Sequence, residues 1–323
     1  MIVLVFTGGT ISMRHDPAAG GAIPSLRGRD ILALAPGIDR YADLEIDDWG
    51  GFPGPHMTTE RMWALRERLL DHLGRDEVDG IVVTHGTDSL EESAYLISRS
   101  VATTKPVVFT GAMRTSSDLG WDGPGNLGAA VRVAAAPVSR GQGTMVVMSD
   151  RIYSALDVTK VHTSMLDAFD SPGLGPLGVL DDGAVIFRRA LPDDVTIIQP
   201  SSLGGPVDIV YAWAGADSRL LRASLPATGG VVVAAMGRGN VPPEMLEGID
   251  AFISADKPVI ITSRSSRGRV GPTYGYLGAG RRLLEQGAIM GGSRRPQQAR
   301  IDLMLALGMG LSVEEIRAMF AGA

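Results

Sequence analysis

The chain contains no cysteine in its 323 residues. Disulfides, a thiol nucleophile and cysteine-ligated metal are therefore excluded, and the absence fits a reducing compartment. Five histidines, His15, His56, His72, His85 and His162, are scattered with no His-x-x-x-His pair, so no zinc site and no other metal is expected. Positive charge is also short. Thirty Lys and Arg stand against 36 Asp and Glu, a net charge of -6, which gives no basic footprint for nucleic acid. No apolar run reaches the length of a membrane span. The apolar start is too short for a secretory leader and lacks a basic flank. These absences lead us to expect a cytoplasmic protein that binds neither nucleic acid nor membrane.

What is present is a well-stocked globular chain. Hydrophobic residues make up 45% and charged residues 20%, close to the soluble average, and the length suits one large domain or two ordinary ones. The first six residues, Met1 to Phe6, are an unbroken apolar run that stops at Thr7-Gly8-Gly9-Thr10. Such a run reads as a buried parallel strand ending in a tight turn. Loops at the carboxyl ends of parallel strands carry ligands, so Thr10 is expected to face a crevice. This loop has neither the G-x-G-x-x-G nor the G-x-x-x-x-G-K-[ST] spacing, so a Rossmann or Walker reading of it fails. No G-x-S-x-G nucleophile elbow occurs in the chain.

Further apolar runs follow at 81–83, 107–109 and 144–148, each separated from the next by a helical pattern: 58–73, 90–101 and 127–136. A short helix near 29–35 and a strand near 43–48 precede them. Residues 12–30 show no period and read as an irregular lid or surface loop. Alternation of strand and helix predicts an α/β fold with a parallel sheet. After a weaker stretch with short strands near 184–188 and 195–199, the alternation resumes. Strands are expected at 207–213, 231–235 and 259–262, and helices at 216–223, 242–255, 276–286, 296–308 and 312–321. Ser312-Val313-Glu314-Glu315 opens the last helix as a capping box. We therefore expect two domains, 1–190 and 207–323, joined by a linker at 191–206. The first is a larger parallel or mixed sheet flanked by helices, and the second a smaller flavodoxin-like α/β unit.

Strand ends in the first domain finish in hydroxyls or carboxylates: Thr10, Thr87-Asp88, Thr110 and Asp150. Such ends converge on one edge of a parallel sheet. Helix capping competes with this reading, since Ser89-x-x-Glu92 is itself a capping box. His85 reads as a structural hydrogen-bonding group. Lys160, between Thr159 and Val161, is either a surface cation or a base. A threonine hydroxyl needs an adjacent base to attack, and Thr87, Asp88 and Lys160 would make such a set.

Several blocks in order give a more specific signal. They are Thr7-Gly8-Gly9-Thr10-Ile11, His85-Gly86-Thr87-Asp88-Ser89 with Glu91-Glu92, Lys105-Pro106-Val107-Val108 leading to Gly111-Ala112-Met113-Arg114, and Asp157-Val158-Thr159-Lys160. Asp122-Gly123-Pro124 with Asn126, Gly175-Pro176-Leu177-Gly178 and Pro296-Gln297-Gln298-Ala299-Arg300 belong with them. Together they resemble the bacterial-type asparaginase/glutaminase family over nearly the whole chain. The resemblance implies a two-domain α/β fold, hydrolysis of a side-chain amide to a carboxylate and ammonia, and no metal or organic cofactor. It implies catalytic roles for Thr10, Thr87, Asp88 and Lys160, and substrate contacts for Gly86, Ala112 and Asn240. Thr10 would be the nucleophile, although either threonine can be the acylated one on the family's pattern. Backbone N–H groups near Thr87 and Ala112 would stabilise the oxyanion. Active sites are expected between subunits of a homodimer or homotetramer, with Asn240 lent across the interface.

Three positions depart from the family's pattern. Residues 12–40 hold no tyrosine where the lid usually carries one, Ala22 or Ile23 falling at its place. Gly54-Pro55 stands where a carboxylate-binding serine is usual. Between Arg269 and Gly280, Tyr274 and Tyr276 occupy the stretch that often bears an acidic residue. Alternatives that remain open are a hydrolase of a larger amide or lactam, the ammonia-donating subunit of a tRNA-dependent amidotransferase, and a non-catalytic amino-acid-binding protein.

Overall fold

The computed structural model describes residues 1–191 and 196–321. It divides into two compact units, Met1–Ile197 and Ile198–Ala323. The first unit opens with β1 (Ile2–Phe6), a small hairpin of β2 (Met13–Asp16) and β3 (Gly21–Pro24), α1 (Gly28–Ala33) and β4 (Leu44–Asp47). Then come α2 (Thr59–Leu73), β5 (Gly80–Thr84), α3 (Leu90–Ser100), β6 (Val107–Thr110), α4 (Gly123–Ala135) and β7 (Thr144–Met148). It closes with β8 (Arg151–Ser154), β9 (Thr159–Lys160), β10 (Phe169–Asp170), β11 (Gly178–Asp181) and β12 (Ala184–Phe187).

Eight of these strands form one sheet in the order β12-β11-β8-β7-β6-β5-β1-β4. The segment from β4 to β7 is parallel, and β8, β11 and β12 continue it antiparallel. Successive side chains of β1 point to opposite faces, and both faces are covered. Val3 and Val5 pack with Leu65 and Leu69 of α2 and Ala94 and Ile97 of α3. Ile2, Leu4 and Phe6 pack with Ile31 of α1 and Leu127 and Val131 of α4. Burial on both sides is why β1 has no polar alternation.

The second unit contains β13 (Val207–Tyr211), α5 (Arg219–Ser224), β14 (Gly230–Ala235), α6 (Leu246–Ser254), β15 (Val259–Ser263), α7 (Gly280–Gln286), β16 (Ile289–Met290), α8 (Pro296–Gly308) and α9 (Val313–Ala321). Its four strands are parallel and lie in sequence order. Leu221, Ile249, Phe252 and Leu283 cover one face, and Leu303, Ile316 and Phe320 the other. The α/β class and the mixed large sheet agree with the sequence.

Local differences have physical causes. The segment 12–30 is not wholly irregular, because β2 and β3 pair as a hairpin inside it. Helix α4 begins four residues early, at Gly123, with Pro124 in its first turn, where a missing N–H costs nothing. Ser149-Asp150 does not end a strand at an open edge. Both residues have positive φ, 50° and 57°, as a tight hairpin turn between β7 and β8 demands, so Asp150 belongs to a turn. Thr110 is fully buried and donates to Val147 O at 2.8 Å, which turns its hydroxyl into the sheet. Ser89 does not cap α3 through its side chain. The strand expected at 195–199 is not formed at 196–199, and residue 195 lies outside the described residues, as do 192–194 of the expected linker. Ser312 behaves as read: its N–H donates to Glu315 Oε2 at 2.8 Å and its Oγ accepts from Glu315 N at 3.4 Å.

Candidate active site

Three loops meet at the carboxyl ends of β1 and β5. The turn after β1 is held as a strand extension: Phe52 N donates to Thr7 O at 2.8 Å and Gly9 N to Phe52 O at 2.9 Å. Gly8, at φ 110°, has no room for a side chain, because a Cβ there would sit 2.3 Å from Phe52 N. Gly9, at φ 81°, lies against Gly86, and Gly86 lies against Gly54. A Cβ on Gly9 would stand 2.5 Å from Gly86 Cα, and one on Gly86 would stand 2.5 Å from Gly54 Cα. Backbone contact of this closeness needs glycine on each side. It brings the loop bearing Thr10 and the loop bearing Thr87 to one junction. Thr10 starts a single 3-10 turn, Thr10–Ser12, and is partly exposed.

Thr87 is 5% exposed. Lys160 Nζ donates to Thr87 Oγ1 at 2.9 Å and to Asp88 Oδ1 at 2.7 Å. The Lys160 side chain is 17% exposed and that of Asp88 59%, so the pair runs from a desolvated hydroxyl to an open carboxylate. Lys160 reaches this position because its own N–H donates to Glu91 Oε2 at 2.5 Å. β9 pairs with β10 in a two-stranded ribbon, with Phe169 opposite Lys160, and Glu91 ties this small ribbon to the first turn of α3.

His85 precedes the junction and is fully buried. Its Nδ1 lies 2.9 Å from Gly86 O and its Nε2 2.9 Å from Ser93 Oγ. The carbonyl can only accept, so Nδ1 carries the proton and Ser93 donates to Nε2. Burial lowers the His85 pKa from 6.5 to about 4. Ser89 donates to Gly54 O at 2.7 Å, which fastens the third loop to the start of α3. Ala112 follows β6 and is fully buried. Its neighbour Gly111 is pressed on the Thr87 loop, where a Cβ would meet His85 O at 2.7 Å and Thr87 Cγ2 at 3.2 Å.

The sequence-derived residues of the first unit thus gather: Thr87, Asp88 and Lys160 by direct hydrogen bonds, and Thr10, Gly86 and Ala112 through backbone packing of adjoining glycines. Asn240 belongs to the second unit, where Met236 N donates to its carbonyl at 2.9 Å and Gly280 N to its Oδ1 at 3.4 Å. Sequence reasoning missed two holders of the site. Glu91 and Asp122 stand within the blocks that carry the family resemblance, but no role was read for either; Glu91 holds the Lys160 backbone, and Asp122 binds the loop after Ala112. Among the described residues no group of three or more His, Asp or Glu is placed to hold a metal ion. No helix there is long and apolar enough to cross a membrane.

A hydroxyl held by an amine that is itself held by a carboxylate is a base-and-orienter set. With a second hydroxyl across a glycine junction, it suits attack on a carbonyl.

Comparisons with known proteins agree with this chemistry. Residues 1–193 match the family description "Asparaginase, N-terminal", and residues 206–320 match "Glutaminase/Asparaginase C-terminal domain". A probable L-asparaginase of Deinococcus radiodurans is 38% identical, over 99% of this chain and 96% of its own length. An L-asparaginase of Bacillus licheniformis is 34% identical, over 95% of each chain. The crystal structure of a probable cytoplasmic L-asparaginase from Campylobacter jejuni superposes with a TM-score of 0.88 at 30% identity, covering 99% of this chain and 98% of that one. With both halves matched and relatives aligned end to end, the chain belongs to the asparaginase family.

Proposed function

We propose that this protein hydrolyses the side-chain amide of L-asparagine, or of a closely related small molecule, to the carboxylate and ammonia through a threonine nucleophile. The observation that carries the reading is the Thr87–Lys160–Asp88 chain, with contacts of 2.9 and 2.7 Å, beside the Thr10 loop. Full-length relatives named as L-asparaginases support the same activity.

On this reading Thr10 Oγ1 attacks the amide carbonyl. The C–N bond breaks, ammonia leaves with the transferred proton, and an ester to Thr10 remains. Thr87 then serves the water that hydrolyses the ester. The 2.9 Å contact places Lys160 Nζ within direct proton-transfer distance of Thr87 Oγ1. Asp88 orients Lys160 and, being more than half exposed, also receives the substrate ammonium. Backbone N–H groups beside Thr87 and Ala112 take the oxyanion, a donor of this kind being worth about 3 kcal/mol in the transition state. Gly86 lets substrate approach the backbone. Asn240 is assigned to substrate binding from a partner copy in a homodimer or homotetramer. We further propose a cytoplasmic location and a domain division at 1–190 and 207–323.

The non-catalytic reading rested on the missing lid tyrosine and on Gly54, but the base-and-orienter set is complete. The test is ammonia release from asparagine, glutamine and N-substituted amides. Release from none of them refutes the proposal. Sedimentation in the presence and absence of substrate tests the oligomer.

A further inference from the structure

We infer that Asp122 and Asn126 are positioning residues that set the oxyanion side of the site by fixing the loop 111–114 against Thr87. This rests on the amidohydrolase reading above. The loop leaves β6 without regular structure, so its backbone groups need partners from elsewhere. Asp122 supplies them. Met113 N donates to Asp122 Oδ1 at 3.1 Å and Oδ2 at 2.9 Å, and Arg114 N donates to Oδ1 at 2.9 Å.

The ordinary role of an Asp at this place is helix capping. Asp122 is the N-cap residue of α4, yet its side chain caps no helix N–H. The carboxylate is spent on the loop instead. Asn126, 5% exposed, completes the clamp. Its Nδ2 donates to Gly111 O and to Asp122 Oδ2, both at 3.0 Å, and its Oδ1 accepts from Ser149 N at 3.0 Å. The three partners fix the amide orientation, since two can only accept and one can only donate.

The clamp matters because of what lies beyond it. Gly111 packs on Thr87 so closely that a single Cβ would meet Thr87 Cγ2 at 3.2 Å. Ala112 sits between Gly111 and the first clamped N–H, on Met113. A loop released from Asp122 would shift relative to the Thr87 hydroxyl. Misplacement on the scale of an ångström costs on the order of 100-fold in rate. An interaction made only in the transition state lowers kcat and leaves KM alone.

The experiment compares the full-length wild type with Asp122→Asn, Asn126→Ala and Asp118→Asn. Asp118 is the control. It also holds a loop N–H, from Thr115 at 2.8 Å, but further along the chain. For Asp122→Asn we expect kcat for ammonia release to fall on the order of 100-fold with KM within about twofold. Residues 111–118 should exchange amide deuterium faster while the rest of the first unit does not. Asn126→Ala should show the same signature and serves if Asp122→Asn does not fold. Asp118→Asn should keep wild-type kcat. Wild-type kcat and unchanged exchange in both clamp variants would overturn the inference, as would an equal kcat loss in Asp118→Asn. A wild type that releases no ammonia refutes the activity alone, and the exchange comparison still decides the positioning role.

Discussion

Lys160 and Thr87 are 73 residues apart in the chain, and Lys160 Nζ donates to Thr87 Oγ1 at 2.9 Å. The contact depends on two separate devices. Glu91 in α3 holds the Lys160 backbone, and Asp88 holds its amine. The two residues that fasten Lys160 thus follow Thr87 on the same loop-to-helix segment.

Replacing Lys160 by Met keeps the stem and removes the base. Activity is expected to fall by roughly 10²–10⁴, the usual worth of a positioned acid or base. Steady-state kinetics on asparagine measure it. Retention of more than a tenth of wild-type kcat would mean that the proton leaves Thr87 by another route.

The glycine junction gives a steric test. Gly86→Ala puts a Cβ 2.5 Å from both Gly54 N and Gly54 Cα. Those atoms are backbone and cannot swing aside. We expect a loss of about 1–3 kcal/mol in stability, as for other forced insertions into packed sites, and a loss of activity because Thr87 moves with its neighbour. Gly128→Ala in α4 meets nothing within 4 Å and should be neutral or stabilising by about 0.5–1 kcal/mol. Denaturant melts of the two variants decide.

Acid should weaken the first unit through His85. Burial lowers its pKa from 6.5 to about 4. Between those values the unfolded chain holds a proton that the folded chain refuses. Stability is therefore full above pH 6.5 and falls as pH drops towards 4, by up to about 3 kcal/mol from this residue alone. In His85→Gln the dependence between pH 7 and pH 4.5 should flatten by that amount. Identical slopes for wild type and variant would show that His85 does not carry it.

The sequence made the class of fold legible wherever periodicity was strong. Val3 and Val5 against Ile2, Leu4 and Phe6 needed cover on both faces, and the sheet has it. Thr87, Asp88 and Lys160 were legible through the resemblance of the blocks His85-Gly86-Thr87-Asp88-Ser89 and Asp157-Val158-Thr159-Lys160 to the family's pattern, since helix capping and a surface cation explained the same residues locally. What stayed hidden depended on where side chains turn. Asp122 and Ser89 both sit where helix caps sit, yet Asp122 spends its carboxylate on Met113 and Arg114, and Ser89 its hydroxyl on Gly54 O. No local pattern distinguishes those choices. The β2–β3 hairpin was missed because its strands are four residues each and none of those residues is buried, so they carry little apolar alternation.

Ammonia release from L-asparagine, measured side by side for wild type, Thr10→Ala and Thr87→Ala, tests the proposed chemistry most directly. We expect turnover by the wild type and a loss of at least about 100-fold in each variant, since each removes a hydroxyl that the reaction uses. A wild-type rate in Thr10→Ala, or no ammonia from the wild type with any amide tried, would contradict it.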